Sequence, residues 1–565
     1  MLDERSYWQR RLSRRTTLRG AGLASGALAT AALVGCGDDD DDDDGGTPEA
    51  TQALPTQDTT LKPVRGGSLT LVSGGEPRTL DVHFDTFPAN TMITNNTNEG
   101  LLRFKADLTG LETELATAMP EQPDELTYVF KIPQGVKFQN VEPANGREFT
   151  SEDVKYSIER QSTDQAGKFQ HAYFFLKRIA SIETPDKYTV RVKMNTAYAP
   201  FLSYIASPWT MMINRESVEK WGDLTEHAIG TGPFIFKEWQ KNVKVELDRN
   251  PDYRVKELPY VDKLTYLIAT DAQVRATLYI DRKIDAIIVG YNELSQVNDK
   301  RKSDSAYRAV PSQFWRQFRR PPTLAADSAI GTAAKASPKP YDDVRVREAV
   351  VRAIDSKQAL DFVHSGDGVL ANGPILPIYP LWALKDNYQQ TDLKKEKELL
   401  SAAGMSGGHK DTLVWASQGS TVNDQTAEVL KQQLKEIGWD LTLQPMDTTP
   451  YYNKIYAWDY TLAHHVPLNN PDPDENLSAY FGRNSTFFKF HDEAIWEKID
   501  KQAKTVNTPD RQALVQEIQK DIIAKHPMKF MYTPNNHNFV DKNVQGWFWP
   551  TDLYDGRKAT AWKKA

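Results

Sequence analysis

From Gly66 onward the apolar positions change period repeatedly, so that short alternating stretches are interleaved with stretches at helical spacing. Tyr128, Phe130 and Ile132 alternate with Val129 and Lys131, and Val190, Val192 and Met194 alternate with Arg191 and Lys193. A period of two places one set of side chains on a single face, which predicts two strands. Thr150-Ser151-Glu152-Asp153 sets a hydroxyl three residues ahead of a carboxylate and opens a helix with Val154 and Ile158 on one face. Helical spacing also covers 346–360 and 425–437. The second carries Leu430, Leu434 and Ile437 on one face, then Gly438 as a C-cap, then a strand over 439–443.

Strands and helices that alternate along a whole chain predict an α/β architecture rather than a bundle or a sandwich. Residues 319–340, with Pro321-Pro322 and a run of Ala, Ser, Gly, Lys and Pro, read as a long exposed loop. Gly230, Gly232 and Pro233 predict a tight turn ahead of a strand at Phe234-Ile235-Phe236. Asp342 and Asp343 read as solvated caps at a helix start, and Arg345 and Arg347 as partners of a nearby carboxylate or of the surface.

The chain has 565 residues, 39% hydrophobic and 26% charged, enough for a large core and too polar for a multispanning membrane protein. Its single cysteine, Cys36, excludes an intrachain disulfide framework. The net charge of −7 is unevenly placed: residues 1–35 carry +4 and the seven aspartates at 38–44 carry −7, which leaves −4 for the remainder. A body so near neutrality predicts no nucleic-acid partner.

Arg10, Arg11, Arg14, Arg15 and Arg19 precede a small, apolar stretch over 20–35, the order of charge and hydrophobicity of an export signal. Sixteen residues are short for a membrane span. Ser13-Arg14-Arg15-Thr16-Thr17-Leu18-Arg19 resembles a bacterial twin-arginine signal, with Thr17 where an aromatic is commoner. Leu33-Val34-Gly35-Cys36 resembles a lipobox, whose Cys becomes the lipid-bearing first residue of the mature protein. The aspartate run and Gly45-Gly46-Thr47-Pro48 then read as an extended, solvated tether over 36–61.

Catalytic signatures are scarce. No GxGxxG, GxxxxGK[ST] or HExxH pattern occurs, and no cofactor is expected. His464 and His465 form the one adjacent histidine pair; in a strand their rings point to opposite faces, which makes them weak metal candidates.

A series of blocks in fixed order does carry a resemblance. They are Gly67-Ser68-Leu69-Thr70-Leu71, Glu76-Pro77-Arg78-Thr79-Leu80-Asp81, Asn98-Glu99-Gly100-Leu101-Leu102, Gly135-Val136-Lys137-Phe138, and Gly146-Arg147-Glu148-Phe149-Thr150-Ser151-Glu152-Asp153. Gly230-Thr231-Gly232-Pro233-Phe234, Arg249-Asn250-Pro251-Asp252-Tyr253 and Asp343-Val344-Arg345-Val346-Arg347 follow. Over nearly its full mature length the chain resembles the bacterial ABC-transporter solute-binding proteins of the dipeptide, oligopeptide and nickel family (family 5). The resemblance implies a two-lobed periplasmic-binding-protein fold of the class II type with an additional subdomain in lobe I. Lobe I would comprise 62–107, 228–305 and 526–565, the additional subdomain 108–227, and lobe II 306–525. It further implies an extracytoplasmic receptor, not an enzyme, that takes a peptide-like or other polar solute between its lobes. The receptor would be a monomer held to the membrane by Cys36, with ABC permease subunits as its partners.

In peptide-binding members of this family an Asp pairs with the ligand's free α-amino group. The matching segment is Asn469-Asn470-Pro471-Asp472-Pro473-Asp474, which puts Asn469 at the amine-pairing position. An amide does not neutralise a buried ammonium. Either Asp472 or Asp474 takes that role, or the ligand lacks a free amine. The segment also reads as a turn whose Asp residues cap a helix beginning near Leu477. Trp415, after a strand at Leu413 and Val414, and Phe87 and Trp209 in loops complete the cleft candidates. A nickel or metal-chelate receptor using His464 or His465, a secreted hydrolase and a sensory binding protein remain the alternatives.

Overall fold

The computed structural model describes residues 60–84, 87–162, 175, 178–320, 339–417, 421–468, 470–483, 485, 488, 490–549, 551 and 556–564. The export signal, Cys36, the aspartate tether, Asn469 and most of the 319–340 stretch therefore lie outside the described residues. No described helix is long and apolar enough to cross a membrane.

Three sheets organise the rest. In the first, Ser68–Ser73 runs parallel to Lys263–Ile268, which continues antiparallel to Lys244–Arg249 and then Phe234–Gln240. Leu69, Leu71, Phe234, Leu247, Leu264 and Tyr266 build its core. The second sheet orders Glu121–Asp124, Thr127–Lys131, Thr189–Met194 and Ile179–Asp186. Both alternating stretches are strands here, paired so that Tyr128 meets Val192 and Phe130 meets Val190, all buried. The helix Ser151–Ser162 covers them with Val154 and Ile158. At its start the Thr150 N–H donates to Asp153 Oδ2 at 2.9 Å, the reach-back half of a capping box.

The third sheet has eight strands. Its main path runs Ala286–Val289, Met528–Asp541, Arg316–Arg319, Leu462–His465, His409–Ala416 and Trp439–Met446. The 14-residue strand Met528–Asp541 also pairs with Ser305–Pro311 along its second half and with Gly368–Leu370 along its first.

Several expectations need correction. The helix over 346–360 is two helices, Val344–Arg352 and Ser356–His364, because Asp355 accepts a hydrogen bond from the Gln358 N–H at 3.0 Å and caps a fresh start. The helix at 425–437 spans Thr421–Lys435, and the strand after it continues to Met446. Gly438 is left-handed at φ +83°, as the C-cap role requires. Arg319 belongs to a strand, not to a loop, and is 0% exposed, as is Arg320. Asp343 does cap its helix, accepting from the Arg345 N–H at 2.8 Å and pairing with that guanidinium at 2.6 Å. Arg347 donates instead to the carbonyls of Tyr341 and Asp342.

The turn at 230–233 shows why glycine is needed. A Cβ at Gly230 would stand 2.4 Å from the Thr97 carbonyl oxygen, and one at Gly232 would stand 2.6 Å from its carbon. Both contacts are with backbone, which cannot rotate away. Gly232→Ala should therefore lower the unfolding free energy by about 1–3 kcal/mol, the usual cost of overpacking a tight site. Urea denaturation of the purified protein measures it, and an unchanged midpoint would contradict this account of the turn.

Candidate functional site

Three parallel strands fix where a solute can enter. His409–Ala416 is flanked by Trp439–Met446 on one side and Leu462–His465 on the other. The helix Thr421–Lys435 links the first strand to the second and packs through Leu430 and Leu434 on one face of the sheet. The helix Thr448–Tyr456 links the second strand to the third and packs through Tyr451 and Ile455 on the opposite face. After Leu462–His465 the chain reaches the helix Pro473–Phe481, whose Leu477 and Phe481 pack with Phe530 and Trp315. The exit of His409–Ala416 thus runs to the face that carries Leu413 and Trp415, and the exit of the adjacent parallel strand Leu462–His465 runs to the opposite face, that of Phe530. In open α/β sheets such a parting at the carboxyl ends of strands leaves the crevice in which ligands bind.

The loops bordering this crevice follow Ala416 and His465. On the first side Trp415 lies inside the strand, 4% exposed, and donates its indole N–H to Asp424 Oδ1 at 2.7 Å. Ser417 donates to the same oxygen at 2.9 Å. On the second side Trp315 N–H donates to the Pro467 carbonyl at 3.2 Å, and the Asn470 N–H donates to Asn476 Oδ1 at 3.0 Å. Asn476 returns a hydrogen bond to the Asn470 carbonyl at 2.8 Å. Asn469 itself lies outside the described residues, but both of its flanks are pinned.

The acidic segment begins a helix four residues earlier than Leu477, at Pro473, with Asp472 as its cap accepting from the Asp474 N–H at 2.9 Å. Asp472 is also held by Arg511 in a buried pair, at 2.6 and 3.2 Å. Breaking such a pair by removing one partner typically costs about 3–5 kcal/mol. Asp474 accepts from Gln502 at 2.6 Å, Ser478 at 2.7 Å and the Tyr198 hydroxyl at 3.2 Å. The last bond spans 276 residues and joins the turn after the second sheet to this helix. Ala199 reinforces the junction by donating its N–H to the Ala503 carbonyl at 2.8 Å. Tyr198, Gln502 and Arg511 carried no local sequence signal, since only the fold brings them to the acids.

Burial, then the neighbouring Asp472 charge, raises the Asp474 carboxyl above its ordinary range. Glu475, one residue on, is pushed up to about 8 by burial and by the charges of Asp472 and Asp474. The start of this helix is thus less negative than its three acids suggest.

The remaining candidates fall elsewhere. Phe87 precedes the helix Pro88–Thr97, half-buried, with the Arg78 guanidinium 4.3 Å above its ring. Trp209 sits in the turn Pro208–Thr210, 5% exposed, its backbone N–H donating to Ser207 Oγ at 3.4 Å. His464 and His465 do face opposite ways: His464 Nδ1–H donates to the Gln317 carbonyl at 3.3 Å, and His465 Nδ1 meets the Tyr451 hydroxyl at 2.8 Å. Burial drives both below the usual imidazole range, His464 to about 3. Among the described residues no three His, Cys, Asp or Glu side chains come together as metal ligands. Gly404-Met405-Ser406-Gly407-Gly408 spells G-x-S-x-G, but it follows the helix Leu393–Ala402 and precedes a strand, the reverse of a nucleophile elbow. Ser406 is exposed there and hydrogen-bonds only Ser401 Oγ, at 3.2 Å.

A two-lobed α/β fold with such a crevice defines the class of the solute-binding proteins, and the comparisons agree. The model of bacterial extracellular solute-binding proteins, family 5 (middle region), matches residues 110–488. The chain belongs to this family, whose members are extracytoplasmic binding receptors. Di/tripeptide-binding protein 1 of Pseudomonas aeruginosa is 27% identical over 470 residues, covering 78% of this chain and 83% of its own length. Oligopeptide-binding protein AppA of Bacillus subtilis is 26% identical over 535 residues, covering 88% and 92%. Among solved structures, DppA from Helicobacter pylori in complex with the peptide STSA superposes with a TM-score of 0.73 at 22% identity, covering 89% of this chain and 99% of that one. AgaA of A. tumefaciens R10 in complex with agropinic acid superposes at 0.71 and 23% identity, covering 88% and 99%.

The raised Glu475 has a measurable consequence. Its folded pKa of about 8 exceeds the ordinary 4.5, so between those values the folded chain holds a proton that the unfolded chain has released. That contribution favours folding at low pH and is lost as pH rises toward 8. In Glu475→Gln the fall of thermal midpoint between pH 5 and 8.5 should be shallower than in the native protein, with the variant more stable at pH 8.5. Parallel curves would mean that the carboxyl is ordinarily solvated.

Proposed function

We propose that this chain captures a peptide-like or other polar solute in the crevice between the ends of His409–Ala416 and Leu462–His465 and delivers it to an ABC import permease, without catalysing a reaction on it. The observation that carries this reading is the parting of the exits of His409–Ala416 and Leu462–His465 onto opposite faces, which opens a recognition site at loops rather than at a constellation of reactive groups. The names of the di/tripeptide- and oligopeptide-binding relatives support a peptide-like solute, and the agropinic acid complex supports a wider range. Lobe I is taken as 62–107, 228–305 and 526–565 with its subdomain at 108–227, and lobe II as 306–525, the strand Met528–Asp541 linking them. Closure of the lobes about the solute follows from contacts made only in the closed form.

Within the crevice Asn469 is the residue that decides on a free amine, with Trp415 beneath the opposite loop. Asp472 and Asp474 hold the loop through Arg511, Tyr198 and Gln502. Phe87 and Trp209 are the aromatic candidates outside the third sheet. The receptor acts as a monomer on the outer side of the cytoplasmic membrane, exported by a twin-arginine-type signal and anchored through lipid on Cys36.

Calorimetric titration with a dipeptide and its N-acetylated form tests the recognition. The native protein should prefer the acetylated form, because Asn cannot compensate a buried ammonium. Asn469→Asp should gain about 1.5–3 kcal/mol for the free amine, the worth of a hydrogen bond to a charged group. A native protein that already prefers the free amine would shift that role to another acid. For the anchor, Cys36→Ser should move the protein from the membrane fraction to the soluble one; retention in the membrane fraction would refute lipidation at this residue.

A further inference from the structure

Arg316 begins the strand Arg316–Arg319, which runs antiparallel to Leu462–His465, with Gln317 opposite His465 and Phe318 opposite His464. That register carries Arg316 past the carboxyl end of the parallel strand, to the rim of the crevice. On its other side it pairs with Tyr532. Its side chain is partly open, yet its Nε is buried without a hydrogen-bond partner.

What surrounds this guanidinium is unusual for a cation. Among the described residues no carboxylate pairs with it; its neighbours are Tyr532, His364 and His464. Tyr532 is 0% exposed, and its hydroxyl points toward Arg316 without reaching hydrogen-bonding geometry. His364 is 3% exposed, and neither ring nitrogen has a partner; its ring lies 5.5 Å from that of Tyr532. Burial and the Arg316 charge push His364 down to about 4 and His464 down to about 3, so both are neutral and neither is a counter-charge. His464, having given Nδ1–H to the Gln317 carbonyl, offers only an acceptor. The cluster therefore holds a fixed positive charge, a hydroxyl donor and an imidazole donor, while the carboxylate that acts on His364, Asp367, is already engaged by His537 and Asn535. The adjacent cation disfavours a metal ion on the same histidines.

We propose that Arg316, with Tyr532 and His364, forms a subsite for an anionic oxygen group of the bound solute, a carboxylate above all. The proposal rests on the crevice being the solute site, and it narrows the solute to one with an acidic group. A guanidinium presents paired N–H donors that match the two oxygens of a carboxylate, and a phosphate can engage the same fork. Arg316 would then be a specificity residue whose missing counter-charge arrives with the ligand.

The test uses the full mature chain, native and as Arg316→Met and Arg316→Lys. Thermal shift and calorimetry are run with di- and tripeptides bearing a free terminal carboxylate, with the same peptides as carboxamides, and with sugar acids, sugar phosphates and neutral sugars. The native protein should respond to acids and lose on the order of 10- to 100-fold in affinity for each amidated counterpart. Arg316→Met should abolish that difference, and Arg316→Lys should restore it in part. Without ligand, Arg316→Met should unfold at the same temperature or higher, since no ion pair is lost. A fall of several degrees in ligand-free Arg316→Met would overturn the proposal by making the arginine structural. Equal native affinity for acid and amide would overturn it while leaving peptide capture intact. A response to neutral sugars alone would overturn the subsite and leave capture of a different polar solute standing. A response to sugar phosphates but not carboxylates would keep the subsite and assign it to phosphate.

Discussion

Chain handedness is the constraint on which the site depends. A strand, crossover and parallel strand connect almost always in the right-handed sense. With His409–Ala416 between its two parallel neighbours, one crossover steps outward and the next must step back across it, so their helices occupy opposite faces. No side chain has to be chosen for the gap to exist. Side chains decide only what the gap contains and how firmly its edges are held. Trp415 and Ser417 share Asp424 on one edge, and the Asn470–Asn476 pair secures the other.

Firmness matters more than affinity at the acidic segment. Asp472 caps the helix Pro473–Phe481 and pairs with Arg511, while Asp474 takes three donors. A buried ion pair contributes little net stability against an apolar replacement, but it penalises any arrangement that parts its members. Here the penalty fixes the start of Pro473–Phe481 to the helix Thr508–Ala524 behind it. The Tyr198 hydroxyl ties the same helix to the turn beyond the second sheet, so the crevice edge also reads the position of a distant element.

The regular elements were largely legible in the sequence, because burial on one face leaves a period in the chain. The two strands at 128 and 190 appear as expected. The misreadings have identifiable causes. Ala353 and Ile354 continue the apolar pattern across the gap between Val344–Arg352 and Ser356–His364, and the break is made by the Asp355 side chain rather than by Gly or Pro. Thr421–Lys435 starts four residues early because Asn423 and Asp424 give its first turn no apolar rhythm. Pro445 masked the end of Trp439–Met446, but this is an edge strand, where a missing N–H is tolerated. At the site, Trp415 and the acidic segment could be picked from residue type. Arg511, 39 residues from Asp472, and Tyr198 could not, since those partnerships exist only in the folded chain.

Arg316 and Arg319 show the same limit from the other side. The loop expected over 319–340 takes in Arg319 because Pro321-Pro322 follows, yet Arg319 ends a central strand that begins at Arg316 and lies between Met528–Asp541 and Leu462–His465. A chain that places arginines there accepts a desolvation cost that apolar residues would avoid. On the acidic side the charges are already answered: Asp472 by Arg511, Asp474 by three donors, and Glu475 by a proton it keeps to about pH 8. In the proposed register Asn469 takes the amine-pairing position. On the proposed reading the charge left unanswered at the crevice is positive, on Arg316, and its complement is a solute whose amine is absent or blocked and whose acid is free.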